Sequence, residues 1–533
     1  KFNAGDYFEF YAEKNYTNEN YREIVPYNTN YKNYITNYTD SSYYWLTIAT
    51  TNSLRAKVQN SNPVSSDTIK SNLKKIHLES DVRLWYYDAP EPRTQFPQQQ
   101  EHKVWTWLLI GSSGSQSVNF VANDVKANTI IKIITRLISN AANINQNAHK
   151  HGISLNSTKI QDSILYNYKQ TVNLTLNSNA NELKEGTNTI RIFGMKSNAS
   201  FHQSLIDWID VDYERMNKAI NDSIIITIND QIRNKLTNIE ITNISPNQNI
   251  IIYKISPVIK KIDDFSYDQQ KRKIVFSDSV SLGDKYLITK SDYIFKPKFL
   301  LKKNFINLSD QKRSADNIII SHRSLINSSI QYQKFIEEKY KIKTQLVFID
   351  DIYDEFSFGY PYPESIKEFL KTAVNNWSGI KPSYLTLIGD ATYDYRQTFS
   401  PVPSIRKKNL VPSYGMPVSD SWFTMFDDSI FAIPQMFVGR IPANNDDQLL
   451  LYLNKHKKYL ERKEDVWNKN YLLFSGGDPT KSSELQQIKS VNDFILNEYI
   501  SKAPIGGVGK HFYKTLEPLY NFSPYKPEEV KSS

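Results

Sequence analysis

Apolar and polar residues alternate over short stretches through much of the first half of the chain. This alternation recurs in five segments, at 104–109, 129–139, 152–155, 170–176 and 189–193. Successive side chains of a strand point to opposite faces, so the pattern indicates strands that bury one face and expose the other. Several such strands separated by polar loops predict a jelly-roll-like β-sandwich over residues 96–216.

The last strand of this predicted sandwich carries an acidic face. In the segment 207–215, Trp208, Asp210, Asp212 and Glu214 share one face, and apolar residues occupy the other. Carboxylates on a solvent-facing strand are the interpretation that we favour. The alternative is a structural calcium site, because proteins hold calcium with oxygen ligands of this type. We expect no other cofactor.

The flanking regions have different patterns. Residues 1–95 are β-rich, and residues 217–305 contain short β segments that predict a small β-sandwich acting as a spacer. Over residues 306–533, apolar strand-like runs alternate with helical runs, which is typical of an α/β domain with a mainly parallel sheet. The sequence therefore predicts a multidomain protein with N-terminal all-β regions and a C-terminal α/β domain.

Composition excludes several classes of protein. The 533 residues include no cysteine, so this chain cannot itself form disulfides, bind metals through thiolates or perform cysteine-dependent catalysis. Its net charge of +9 comes from 65 basic and 56 acidic residues, without the dense basic block typical of nucleic-acid binding. No apolar run approaches the roughly 20 residues that span a bilayer, so we expect no membrane span. No dinucleotide-binding or P-loop motif follows a predicted strand, which excludes those α/β classes.

Carboxylates collect where predicted strands of the α/β domain end, which is where open parallel sheets place functional groups. Four acids lie within 350–355, Asp390 follows an apolar run, and Asp478 follows two glycines. Arg440 is the expected ion-pair partner of Asp390 or Asp420. A structural salt bridge explains Arg440 at least as well as a role in substrate binding does.

Four short motifs occur in order within this domain. They are Gly-Asp-x-x-Tyr-Asp-Tyr-Arg at 389–396, Val-Pro-Ser-Tyr at 411–414, Ser-Asp-x-Trp-Phe at 419–423 and Val-Gly-Arg-Ile-Pro-Ala at 438–443. In this order they resemble the gingipain-type cysteine peptidases of Bacteroidetes, a group that includes sortase-like surface proteins of type IX secretion. The resemblance covers residues 316–533 well and the β regions more loosely.

The resemblance implies a caspase-like α/β fold and cleavage of peptide bonds by a His–Cys dyad. In the family the His lies in a Gly-His-Gly segment after a later strand, and the Cys follows it. Neither has a counterpart in this chain. We therefore expect the α/β domain to be incomplete at its C-terminus, with the chain truncated before the dyad. The start of a helical pattern at 527–530, immediately before the last residues, agrees with this expectation. A disordered native tail is the alternative.

None of the histidines lies in the motif of the family. The eight are His77, His102, His149, His151, His202, His322, His456 and His511. His149 and His151 are two residues apart on a strand-like stretch and could bind a metal, but we favour an exposed strand. We expect His511 to be a surface residue.

The resemblance also suggests roles for residues that are present. In the family, residues after the strand matching 470–475 help to line the substrate pocket, so Asp478 and Glu484 are candidates for that role. The other motif residues are expected to organise the fold: Gly389, Asp390, Asp394, Arg396, Asp420, Gly439 and Arg440.

Two hypotheses for function follow. The first is a fragment of a secreted or cell-surface, outer-membrane-associated cysteine endopeptidase, or of the type IX secretion sortase. Its partners would be polypeptide substrates and the type IX secretion machinery, with no nucleic acid. The alternative is a non-catalytic surface binding or scaffold protein with a degenerate peptidase-like domain. In that case Trp105, Trp107 and Trp208 could stack on carbohydrate, although burial in a sandwich core explains these tryptophans more simply.

Overall fold

The structure is a computed structural model of the chain. It describes residues 8–15, 19–23, 34, 36–47, 55–86, 103–246, 248–297, 301–397, 408–415, 418–426, 433–478, 480–513 and 527–531. These residues fall into two compact units, Lys1–Leu450 and Leu451–Ser533.

The first sandwich of the first unit has two sheets that share one core. In chain order, the strands up to the end of this sandwich are β1 (Lys57–Asn60), β2 (Thr68–Ile69), β3 (Ser71–Glu79), β4 (Arg83–Tyr86), β5 (Lys103–Thr106), β6 (Leu108–Gly111), β7 (Ser115–Ala122), β8 (Ile130–Ala142), β9 (His149–Leu155), β10 (Asp162–Tyr166), β11 (Thr171–Asn179), β12 (Gly186–Gly194) and β13 (His202–Met216). Of these, β1 and β2 belong to the second sandwich, and β4 and β5 form a separate pair. One sheet has the order β10-β9-β12-β7, and the other has the order β11-β8-β13-β3, with β6 also paired to β13. Phe120 and Ile192 from the first sheet pack with Ile133 and Val211 from the second in one buried cluster. The predicted β-rich region is confirmed.

A second sandwich follows. Its strands after β13 are β14 (Ile224–Thr227), β15 (Lys235–Thr242), β16 (Ile250–Ser256), β17 (Lys260–Asp263), β18 (Ser266–Asp268), β19 (Lys273–Val280) and β20 (Lys285–Lys290). The two sheets have the orders β1-β17-β16-β20-β14 and β18-β19-β15-β2. Isoleucines from both sheets, among them Ile226, Ile239, Ile252 and Ile274, form its core with Phe276.

Strands from the first 95 residues contribute to both sandwiches. Lys57 of β1 pairs in parallel with Lys260 of β17, and Ile69 of β2 pairs with Ile239 of β15. The next strand, β3, pairs instead with β13 of the first sandwich. The predicted division into parts at 95, 216 and 305 stays a prediction, and hydrogen bonding between strands crosses two of these boundaries.

The α/β part of the first unit is a four-stranded parallel sheet with helices. Its elements are β21 (Asn317–Ser321), α1 (Ile326–Tyr340), β22 (Thr344–Phe348), α2 (Ile349–Phe356), α3 (Glu364–Asn376), β23 (Tyr384–Ile388), β24 (Phe437–Ile441) and α4 (Asp446–Leu460), the last of which crosses into the second unit. The strand order is β22-β21-β23-β24. All five residues of β21 are buried, as expected for an interior strand covered on both faces. The predicted parallel sheet with helices is confirmed.

The second unit contains a parallel pair of strands and a helix. Its elements are β25 (Asn470–Ser475), α5 (Ser482–Ile495), β26 (Val508–Tyr513) and the short helix α6 (Pro527–Lys531). The two strands pair in register from Asn470 with Val508 to Ser475 with Tyr513. Among the helices of the described residues, none is long and apolar enough to cross a membrane.

Candidate functional site

Arg440, on β24, joins three segments at the end of the parallel sheet. Its Nε and Nη2 donate to the two carboxylate oxygens of Asp420, each at 2.7 Å. Nη1 donates to the carbonyls of Gly389 at 2.7 Å and Val411 at 2.8 Å, and Nη2 donates to that of Pro412 at 2.9 Å. A guanidinium has five N–H groups, and these five bonds use all of them. Of the two predicted partners, Arg440 therefore pairs with Asp420 and not with Asp390, and it acts as a structural anchor.

Gly389 lies at the end of β23, where the chain leaves the sheet. Its φ is +143°, a conformation that L side chains rarely adopt. A Cβ at this position would lie 2.9 Å from Leu410 Cβ and 3.1 Å from Val411 Cγ2. The close approach of the 410–411 segment, which Arg440 also binds, therefore requires a glycine here.

We expect Gly389→Ala to destabilise the first unit by about 1–3 kcal/mol, because it combines an unfavourable φ with a steric clash. Gly439 on β24 is the matched control, since a Cβ there meets no atom within 4 Å. Urea unfolding of both variants checks this expectation. Equal stability of Gly389→Ala and Gly439→Ala would contradict it.

Of the remaining charged residues of the motifs, Asp390 and Arg396 have side-chain partners, and Asp394 is buried. Asp390 accepts a hydrogen bond from Asn444 Nδ2 at 3.1 Å, and its Oδ1 accepts one from the following backbone N–H at 2.9 Å. Arg396 forms an ion pair with Asp81, which follows β3, and only 9% of its side chain is exposed. Such contacts are expected of residues that organise the fold, and that role stays a prediction.

The four acids at 350–355 lie on α2 and are held within the fold. Asp351 is 5% exposed and accepts two hydrogen bonds from Arg323 Nη2, at 2.6 and 2.7 Å. Burial raises the pKa of Asp351 against the lowering effect of Arg323. Lys303 pairs with Asp354, and Glu355 accepts from the backbone N–H groups of residues 308 and 309. These contacts indicate structural roles.

Asp478 and Glu484, the candidates for a substrate pocket, lie together in the second unit. Glu484 Oε1 accepts a hydrogen bond from the Asp478 backbone N–H at 3.2 Å, and Asp478 Oδ1 accepts from the N–H and hydroxyl of Thr480 at 2.9 and 2.7 Å. They therefore support the turn that starts α5, where carboxylates interact favourably with the helix dipole. Their contact with substrate stays a prediction.

The expectation that His511 lies on the surface is wrong, because only 4% of its side chain is exposed. Its Nε2 lies 2.5 Å from Ser475 Oγ, and its Nδ1 lies 2.7 Å from Asp493 Oδ1. Ser475 ends β25, His511 lies on the neighbouring β26, and Asp493 lies on α5. No sequence motif connects these three residues. The signal that the sequence offers is a serine at the end of an apolar strand.

Residues 310–514 match the family model described as Peptidase family C25. This is the gingipain family. The resemblance predicted from the four motifs is therefore confirmed, although the match covers less than half of the chain. No curated protein matches the chain.

Solved structures also resemble the chain. Dimeric latent PorU from Porphyromonas gingivalis matches with 13% identity and a TM-score of 0.55, over 76% of this chain and 39% of that one. The likeness supports a common fold, and this chain spans only about two-fifths of the PorU chain. The CBM36-1 domain of a multidomain xylanase from the hindgut metagenome of Trinervitermes trinervoides matches 26% of this chain and 96% of its own, with 12% identity and a TM-score of 0.17. A family 35 carbohydrate binding module from Clostridium thermocellum matches 27% of this chain and 98% of its own, with 13% identity and a TM-score of 0.16. Scores this low support no conclusion.

Outside the region matched to Peptidase family C25, three histidines form a buried cluster. The rings of His149 and His151 stack with centroids 6.5 Å apart, and His202 meets each edge-on at 5.4 Å. Ser204 Oγ lies 3.2 Å from His149 Nδ1, and the Tyr166 hydroxyl lies 3.3 Å from His151 Nδ1. The expectation of an exposed strand is wrong, because β9 lies between β10 and β12 and its alternate side chains enter the core.

Among the residues that the structure describes, one nitrogen of each ring in this cluster has no hydrogen-bond partner: Nε2 of His149, Nε2 of His151 and Nδ1 of His202. Burial, reinforced by the neighbouring histidines, lowers the pKa of His149 to about 4 and that of His151 to about 3. Within the part of the chain that the structure describes, no group of three or more His, Cys, Asp or Glu side chains is arranged to hold a metal.

The acidic face of β13 also differs from expectation. Asp210 is 1% exposed, so the interpretation of a solvent-facing strand is wrong. Arg22 lies 2.6 Å from Asp210 through Nε and 2.8 Å from Asp212 through Nη1. His77 Nδ1 lies 2.6 Å from Asp210, and Lys126 Nζ lies 2.7 Å from Glu214 Oε2. All three carboxylates thus have basic partners.

The tryptophans of the first sandwich are mostly enclosed. Trp105 is 3% exposed and Trp208 is fully buried. The guanidinium of Arg136 lies over the Trp208 ring, 4.8 Å from its centroid. Trp107 packs, partly buried, against the sandwich core. Neither fully enclosed ring offers a face on which a carbohydrate could stack.

Proposed function

We propose that this chain is part of a secreted or cell-surface cysteine endopeptidase of the gingipain type. The match of residues 310–514 to Peptidase family C25 carries this proposal. Cleavage would use a His–Cys dyad, in which the His activates the thiolate for attack on the peptide carbonyl. The chain contains no cysteine, so the proposal assigns the dyad to residues outside this sequence.

The proposed substrates are polypeptides, and the proposed partners are components of the type IX secretion machinery. The fold shared with PorU supports a place for the protein at the outer membrane, either as a sortase or as a secreted protease. Asp478 and Glu484 are proposed to line the substrate pocket. Their carboxylates can bind basic or hydrogen-bonding groups of a peptide.

Arg440 and Asp420 have a supporting role in this proposal. Their bonds fix the ends of β23 and β24 and the segment at 411–412. The carboxyl ends of parallel strands are where such folds place their active sites. A rigid edge of the sheet would hold a peptide in a constant position relative to the dyad.

Alkylation of the natural full-length protein tests the proposal. Iodoacetamide should abolish its cleavage of peptides, and the 533-residue chain alone should show no cleavage that iodoacetamide inhibits. Replacement of each cysteine of the full-length protein by alanine, one at a time, should identify a single essential thiol. Cleavage that survives removal of all cysteines would contradict the proposal.

The alternative of a carbohydrate-binding scaffold has no comparable support. The tryptophans that motivated it are buried or packed against the core. A correctly folded full-length protein without any peptidase activity would favour the scaffold alternative.

A further inference from the structure

Ser475, His511 and Asp493 form a continuous hydrogen-bonded row in the second unit. Ser475 Oγ is 2.5 Å from His511 Nε2, and His511 Nδ1 is 2.7 Å from Asp493 Oδ1. These are the contacts that define a nucleophile, a general base and the group that orients the base. The cysteine chemistry proposed above uses none of the three.

The direction of the hydrogen bonds follows from the charges. Lys489 Nζ lies 2.5 Å from the other oxygen of Asp493, and the bonds from Lys489 and then His511 lower the pKa of Asp493. A carboxylate only accepts hydrogen bonds, so Nδ1 of His511 donates to Asp493, and in the tautomer with its proton on Nδ1 the ring accepts through Nε2. Asn492 Nδ2 donates to Ser475 Oγ at 2.6 Å, which leaves the hydroxyl proton of Ser475 directed at His511. This arrangement is the one that prepares a hydroxyl to lose its proton to an imidazole.

Access to Ser475 limits the size of a substrate. The residue is 3% exposed, but the next residue, Gly476, is exposed, and a Cβ built on it meets no atom within 4 Å. A folded polypeptide therefore cannot reach the hydroxyl, so the candidate substrates are small esters.

We propose that Ser475, His511 and Asp493 form a second active site, which hydrolyses small esters by transfer of the acyl group to Ser475. This activity is separate from the proposed cysteine peptidase and requires no residue outside this chain.

The proposed reaction has two balanced steps. Ser475 Oγ bonds to the carbonyl carbon of the ester while its proton passes to His511 Nε2, and the alcohol leaves with that proton as the ester C–O bond breaks. Water then attacks the acyl-serine, gives a proton to His511 and releases the carboxylic acid, while the proton returns to Ser475 Oγ. Asp493 orients His511 and stabilises its protonated form throughout.

Hydrolysis of p-nitrophenyl acetate by the full 533-residue chain tests this proposal, together with labelling by a fluorophosphonate probe. We expect Ser475→Ala and His511→Asn to lower kcat/KM by about 100-fold to 10,000-fold, the usual contribution of a general base or nucleophile. Ser490→Ala, on the exposed side of α5, is the matched control and should leave the rate unchanged. Labelling that is absent, or that persists in Ser475→Ala, would overturn the proposal.

Ser475→Cys gives a second measurement that does not depend on esterase activity. The chain has no cysteine of its own, so this variant carries a single thiol of nearly the same size as the original hydroxyl. If His511 acts as a base, iodoacetamide should alkylate the thiol rapidly below pH 8, and addition of His511→Asn should slow the reaction at least tenfold at the same pH. A thiol that iodoacetamide cannot reach, or one that reacts equally with and without His511, would overturn the proposal. Either result would show that the hydrogen bonds between the three residues only stabilise the fold.

Discussion

Replacement of Arg440 by methionine should destabilise the first unit by about 1.5–3 kcal/mol, the usual contribution of hydrogen bonds to charged groups, because its ion pair with Asp420 is partly buried. The Arg440 side chain is 14% exposed and supplies five hydrogen bonds. Its removal takes the donor from three carbonyls and leaves Asp420 with the bond from Ser413 Oγ at 2.9 Å. Urea unfolding followed by tryptophan fluorescence measures the loss. Trp422, two residues from Asp420, is buried and reports on this region directly.

Two control variants separate the geometry from the charge. Arg440→Lys keeps the charge but offers three donors instead of five, so its stability should lie between those of the wild type and the methionine variant. Lys235→Ala removes a cation from an ion pair with Asp67 in which the two side chains are 55% and 52% exposed. That change should cost less than about 1 kcal/mol. An Arg440 variant that resembles Lys235→Ala would contradict the structural role of the guanidinium.

Acidification should destabilise the first sandwich strongly between pH 6.5 and about pH 4. His149 and His151 have pKa values of about 4 and about 3 in the folded chain, below their ordinary value of 6.5. In this range the unfolded chain binds protons that the folded chain does not, so stability falls as the pH falls. The loss at pH 4 is on the order of 3 kcal/mol for each histidine. The melting temperature of the sandwich as a function of pH measures this effect.

The control for this prediction removes the titrating groups and keeps the polarity of the site. His202, Ser204, Tyr166 and Tyr168 surround the two rings. The double variant His149→Asn and His151→Asn should have a flatter dependence of stability on pH in this window, even if its stability at pH 7 is lower. An unchanged slope would show that other groups cause the acid sensitivity.

Local signals in the sequence were sufficient for the α/β part of the fold. The strand at 384–388 is mostly apolar and β21 has three consecutive isoleucines, so their place in a parallel sheet could be predicted. The pairing of Arg440 with an aspartate could also be predicted, because the family motifs place both residues near the same edge of the sheet. The sequence could not show that the partner is Asp420 and not Asp390, because this depends on the path that the chain takes between the two residues.

Contacts between distant parts of the chain were the main source of error. Asp210 was interpreted as solvent-facing because alternation along a strand shows two faces but not what covers each one. Here Arg22 and Tyr21, about 190 residues earlier, lie on that face. For the same reason the sequence does not reveal the contacts between Ser475, His511 and Asp493. Pairing of β25 with β26 brings Ser475 and His511 together.

The early strands β1 to β3 pair with later strands of both sandwiches, and this has a consequence for synthesis of the protein on the ribosome. Lys57 of β1 pairs with Lys260 of β17, so the first strand must wait for about 200 further residues before its partner exists. At about 5–20 residues per second, this wait lasts roughly 10–40 s, during which an unpaired strand edge is open to association with other nascent chains. The length of chain that has left the ribosome, more than the strength of any one contact, therefore decides when the all-β part of the molecule becomes protected from aggregation.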